Sequence, residues 1–178
     1  MSAPERRKYR TLRNIGASAP GANPAGVGDG KSAGPEEEGD GAPARVLVAH
    51  PVASTSRLVR ETLESFTGSR VETSSNPLRA FELALQKPYR LFIFAMQMGE
   101  ITGPMLYELI SKAYTAGRGP KQLAPGVIFI REKDDAKLPE ELSRDVRVKD
   151  VLTKPLRIER LLQPVAGVLE VRDPTTGT

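Results

Sequence analysis

Leu91-Phe92-Ile93-Phe94 is the stretch on which the fold turns: four consecutive large apolar residues, set between Lys87-Pro88 and a loop that holds Met96, Gln97 and Met98. A run this short, without polar alternation, predicts a strand covered on both faces, as in the interior of a parallel sheet. Val46-Leu47-Val48-Ala49 and Val127-Ile128-Phe129-Ile130 repeat the pattern, Val148 to Leu152 adds another strand, and Val71 begins a weaker, polar one.

Helical signals fill the intervals. Val59, Leu63 and Phe66 recur at helical spacing while Arg57, Arg60, Glu61 and Glu64 point elsewhere, which predicts an amphipathic helix over 53–66 ended by Gly68. Asn76 as N-cap and Pro77 as first helical residue open a second helix carrying Leu78, Phe81 and Leu85, closed by Lys87-Pro88. Leu106, Leu109, Ile110 and Ala113 form a third stripe before Gly117, followed by a loop around Gly119 and Pro125. Ile158, Leu161, Leu162, Val165 and Leu169 form the last stripe, which Pro164 should kink or restart. Residues 133–147 are highly charged and offer little apolar face. Strands alternating with helices at short intervals predict an α/β domain: a five-stranded parallel sheet with helices on both faces.

Charge is unevenly placed along the 178 residues, so the net +4 is a poor guide to partners. In residues 1–14, Arg6, Arg7, Lys8, Arg10 and Arg13 face only Glu5, making a basic N-terminal arm. Residues 15–43 are rich in Gly, Ala and Pro, with Asp29, Glu36, Glu37, Glu38 and Asp40 against Lys31 alone. Lacking the apolar side chains that offset ordering entropy, this segment is expected to be a disordered linker, so that the folded domain spans 44–172 and 173–178 is a flexible C-terminus. The chain has no cysteine and a single histidine, which excludes disulfides and thiolate chemistry and argues against a zinc site. No apolar run approaches the length of a membrane span and Met1 to Asn14 is too charged for a secretory signal, so a cytoplasmic location is expected.

Residues 45–170 resemble the receiver domain of two-component response regulators. The resemblance rests on Arg45-Val46-Leu47-Val48-Ala49-His50-Pro51, Arg90 to Ala95, Ile101-Thr102-Gly103, Gly126 to Arg131 and Leu152-Thr153-Lys154-Pro155. It implies a flavodoxin-like fold preceded by the disordered tail. In that family an acidic pair ends the first strand, and an aspartate ending the third accepts the phosphoryl group beside a magnesium ion. His50, Pro51 and Ala95 stand at those places. Magnesium takes oxygen ligands and alanine has no nucleophile, so the resemblance implies an atypical member, without metal or cofactor, that is not phosphorylated. Arg131 replaces the family's hydroxyl residue after the fourth strand, Val151 its aromatic switch residue, and Lys154 is retained, followed by Pro155 at a position commonly cis in the family.

The residues leave several readings open. His50, Arg131 and Lys154 would converge at the carboxyl ends of the strands, where parallel sheets bind ligands, and could hold a small anion. The alternative is that Arg131 and Lys154 pair with Glu100, Glu132 or Asp134 and close the pocket. Met96 and Met98 form either an adaptable partner-facing loop or a pair packed beneath it. Ser54, Thr55 and Ser56 are best explained as helix caps. The arm, including Tyr9, is read as a second binding element, tethered by the linker. The expected function is that of a non-catalytic signalling adaptor or scaffold, acting by phosphorylation-independent contact with a protein partner. The sequence leaves open whether the domain forms a homodimer; receiver relatives commonly pair through the fourth helix, fifth strand and fifth helix. The alternatives are nucleic-acid association through the arm, which would be strongly salt-dependent, and ligand sensing in the pocket.

Overall fold

The computed structural model describes residues 42–119 and 121–172. The expectations for the arm (Arg6, Arg7, Lys8, Tyr9, Arg10, Arg13), for the linker up to residue 41 and for residues 173–178 lie outside the described residues.

The chain runs β1 (Arg45–Ala49), α1 (Ala53–Thr67), β2 (Arg70–Ser74), α2 (Pro77–Gln86) and β3 (Leu91–Ala95). It continues through β4 (Gln97–Met98), β5 (Ile101–Thr102), α3 (Gly103–Arg118), β6 (Gly126–Arg131), α4 (Glu140–Ser143), β7 (Val148–Thr153) and α5 (Ile158–Ala166). Five strands form one parallel sheet in the order β2-β1-β3-β6-β7, in agreement with the predicted flavodoxin-like fold class.

Alternation along the three central strands divides the core in two. Leu47, Phe92, Phe94, Val127 and Phe129 point to one face and meet Leu83, Leu106, Tyr107 and Ile110 of α2 and α3. Val46, Val48, Leu91, Ile93, Ile128 and Ile130 point to the other and meet Val59 and Leu63 of α1 and Leu161 and Val165 of α5. Every one of these central-strand residues is essentially inaccessible, which is why the strands read as unbroken apolar runs. β2, at the sheet edge, buries only Val71, hence its weak signal.

Helix ends follow local chemistry. Gly68 ends α1 in the left-handed conformation at φ 63°, where a side chain would be strained. The Asn76 carboxamide accepts from the amides of Leu78 and Arg79, and Pro77 fills the first turn of α2. The capping role expected of Ser54, Thr55 and Ser56 is corrected: the N-cap is Val52, with no side-chain cap. Ser56 Oγ instead donates to the His50 carbonyl at 3.3 Å.

Three elements were not anticipated. β4 and β5 form a two-residue antiparallel ribbon turning at Gly99, whose φ of 84° suits glycine. The charged 133–147 segment carries only the four-residue α4, which buries Leu142. α5 runs through Pro164 without a restart and ends at Ala166 with Gly167 as C-cap, short of the predicted stripe; Leu169 still reaches the core through a turn closed on the Val165 carbonyl.

Candidate functional site

The carboxyl ends of the parallel strands bring His50, Ala95, Arg131 and Lys154 to one edge of the sheet, following β1, β3, β6 and β7. His50 is held from three sides. Its amide donates to Ser74 O at 3.0 Å, its carbonyl accepts from Ser56, and its Nδ1 accepts from the Val52 amide at 3.0 Å. Accepting at Nδ1 fixes the neutral ring with its proton on Nε2. Burial, and then the nearby Lys154 cation, lower the His50 pKa to about 4. The imidazole is therefore neutral near pH 7. Pro51 beside it is exposed.

Ala95 is buried and its methyl carries no acceptor or nucleophile. The backbone around it is tightly fitted: the Met96 amide donates to Ile130 O at 2.7 Å, and the Gly103 amide to Met96 O at 3.1 Å. Gly103, quoted above as part of the resemblance, has a packing role that the sequence did not reveal. A Cβ there would lie 2.1 Å from the Ala95 carbonyl oxygen, so only glycine lets α3 start against the end of β3. Its signal in the sequence is a glycine between the capping Thr102 and Pro104, inside a helix start.

The two cations of the site are already engaged. Lys154 Nζ lies 2.7 Å from Glu132 Oε1, one of the three carboxylates anticipated for it. Among the described residues Arg131 takes no carboxylate; its guanidinium donates to the carbonyls of Glu132, Lys133 and Asp135, the last at 2.5 Å. It thereby ties down the loop after β6, a use that the sequence reading did not foresee because carbonyl acceptors leave no trace in residue type. The Lys154 amide donates to Arg131 O at 2.9 Å, the Lys154–Pro155 peptide is cis, and Val151 packs half-buried on the α2–α3 side of the sheet.

Met96 and Met98 require a correction. They are 3% and 5% exposed, packed in the same cluster as Phe94 and Leu106, so neither presents a partner-facing surface. The β4–β5 ribbon turns Gln97 outward and Met98 inward by strand alternation.

Among the described residues no group of three or more His, Cys, Asp or Glu side chains is placed to hold a metal ion, and no helix is long and apolar enough to cross a membrane. No protein-family model matches the chain, and no curated protein matches it. Solved structures do. The signal receiver domain of an HD domain-containing protein from Pseudomonas fluorescens Pf-5 superimposes with a TM-score of 0.59 at 17% identity, over 71% of this chain and 94% of that one. Chemotaxis protein CheY4 of Vibrio cholerae gives 0.57 at 22% identity, over 72% and 100%. A response regulator receiver domain from Clostridium thermocellum gives 0.53 at 21%, over 70% and 92%. With its five-stranded parallel sheet in the order β2-β1-β3-β6-β7 and these neighbours, the described domain has the fold of the response-regulator receiver domains.

Proposed function

We propose that the chain is a receiver-like signalling adaptor that works by phosphorylation-independent contact with a protein partner and catalyses no reaction. The observation that carries this reading is the composition of the strand ends. Ala95 offers no atom to a phosphoryl group, while Lys154 is neutralised by Glu132 and Arg131 is consumed by backbone carbonyls. A phosphorylated switch needs an acceptor; alanine at position 95 supports the reading that this domain has none, and the Lys154–Glu132 pair adds to that support. A domain without chemistry at this edge acts through its surfaces, and α2 and α3 turn Leu78, Met105 and Leu109 outward. The basic arm supplies a second contact in this proposal, and pairing of two copies is compatible with it.

The test is an amide spectrum of the full chain recorded with and without magnesium and beryllofluoride, repeated with acetyl phosphate. An unchanged spectrum is the expected result. Saturable shifts centred on Ala95, Arg131 and Lys154 would overturn the proposal.

A further inference from the structure

On the other side of His50 lies a groove lined by two arginines, of which Arg60 forms no ion pair among the described residues. It has a volume of about 400 Å³ and runs between α1 and the carboxyl end of the edge strand β2. Ala53, Ser56, Arg57 and Arg60 line it from the helix, at spacings that place all four on one face of α1. Thr73, Ser74 and Ser75 line it from the strand and the turn that follows. Thr73 shares its face of β2 with the buried Val71, which packs on the α1 side, so alternation directs it toward the helix.

Ser56 and Ser74 spend their hydroxyls on the His50 and Asn76 carbonyls, which leaves Arg60, Thr73 and Ser75 as the open donors. Among the described residues Arg60 forms no ion pair, and the Thr73 and Ser75 hydroxyls have no hydrogen-bond partner. Arg57 pairs with Glu61 at 2.7 Å, but both side chains are more than half exposed, and such a pair yields readily to a better acceptor. No carboxylate lines the groove. Two guanidinium groups one helical turn apart, facing hydroxyl donors across a cleft at the carboxyl edge of parallel strands, suit a dianionic oxygen cluster. Arginine's fixed fork favours phosphate over a spherical anion.

We propose that this α1–β2 groove binds a phosphomonoester, with Arg57 and Arg60 holding the phosphate, Thr73 and Ser75 donating to it, and the remaining space receiving the organic group. The anion site thus lies beside the degenerate receiver pocket and not in it. Occupation would tie α1 to the edge strand at the end of the sheet where the two are otherwise joined through His50, Ser56 and Ser74.

The experiment is an amide-shift titration of the full chain with inorganic phosphate and, separately, with glycerol 3-phosphate. Saturable shifts at Ser56, Arg60, Thr73 and Ser75 are expected, with the ester binding more tightly than phosphate alone. Arg60→Gln should weaken binding about tenfold, as loss of a charge-assisted bond implies, and Thr73→Val should weaken it by a smaller factor. Arg79→Gln, on α2, should leave it unchanged. Shifts centred on Arg131 and Lys154, failure to saturate, or full affinity in Arg60→Gln would overturn the groove assignment. Equal affinity for phosphate and its ester would overturn the assignment of a monoester.

Discussion

Lys154 Nζ and Glu132 Oε1 stand 2.7 Å apart, joining the end of β7 to the loop after β6 beside the buried ring of His50. The lysine cation pushes the His50 pKa down and the Glu132 carboxylate pushes it up, both after the larger effect of burial. Their removal should therefore have opposite signatures. Glu132→Gln leaves the cation uncompensated and should move the imidazole titration further down, whereas Lys154→Gln should move it up. The ring proton shifts followed against pH decide this. Because Glu132 is 59% exposed, the accompanying loss of stability should stay within about 1 kcal/mol. Movement in the same direction in both variants would break the electrostatic account.

His50 also makes stability depend on pH. Its folded pKa of about 4 lies below the ordinary value of 6.5, so between these values the unfolded chain binds a proton that the folded one does not. Stability is then fully present above pH 6.5 and falls as pH drops toward 4, by up to about 3 kcal/mol for this one group. His50→Asn keeps a side-chain acceptor for the Val52 amide and removes the titration. Urea unfolding of both proteins across this range should show a steeper acid loss in the wild-type chain. Parallel pH profiles would show that His50 is not responsible.

The fold was legible because its central strands are buried on both faces: Phe92, Phe94, Ile128 and Phe129 leave no polar alternation, and Gly68, Asn76 and Pro77 mark their helix ends by backbone preferences carried in the residue itself. What escaped depended on partners distant in sequence. Whether Met98 faces solvent or core is set by a two-residue ribbon that no periodicity reveals. Arg131 and Lys154 look alike as charges, yet one meets carbonyls and the other a carboxylate. Ser56, read as a cap, reaches six residues back to His50 O because the chain enters α1 through Val52. The α1–β2 groove needs a helix face and a strand end together, and each half alone reads as ordinary solvated surface.

Gly103→Ala tests how closely the site depends on backbone fit. The added methyl would enter the space of Ala95 O at 2.1 Å, with Phe129 at 3.4 Å behind it, so either α3 shifts or the end of β3 does. Alanine is otherwise the better helix former, and at an unconstrained position the change would stabilise by about 0.5–1 kcal/mol. Here the sign should reverse, with a loss of about 1–3 kcal/mol as expected for overpacking. Amide shifts at Ala95, Met96 and Ile130 should accompany it. A neutral or stabilising result would mean that α3 moves aside without cost.

Tyr107 separates the polar and apolar contributions on the α2–α3 side of the core. Its ring is inaccessible, sits edge-on to Phe92 and Phe129, and lies beneath the Arg147 guanidinium, while its hydroxyl donates to Pro125 O at 2.8 Å. Burial pushes the phenol pKa up to about 12, so the hydroxyl remains a donor throughout the usual working range. Tyr107→Phe keeps the ring contacts and orphans the carbonyl just before β6, which should cost about 1–2 kcal/mol. Tyr107→Ala also opens a cavity between α3 and the sheet and should cost about 3–5 kcal/mol. Urea denaturation reads both, with the midpoint falling and the slope unchanged if the native state stays compact. If the two variants lost equal stability, the hydroxyl and not the ring would be what anchors α3 to the sheet.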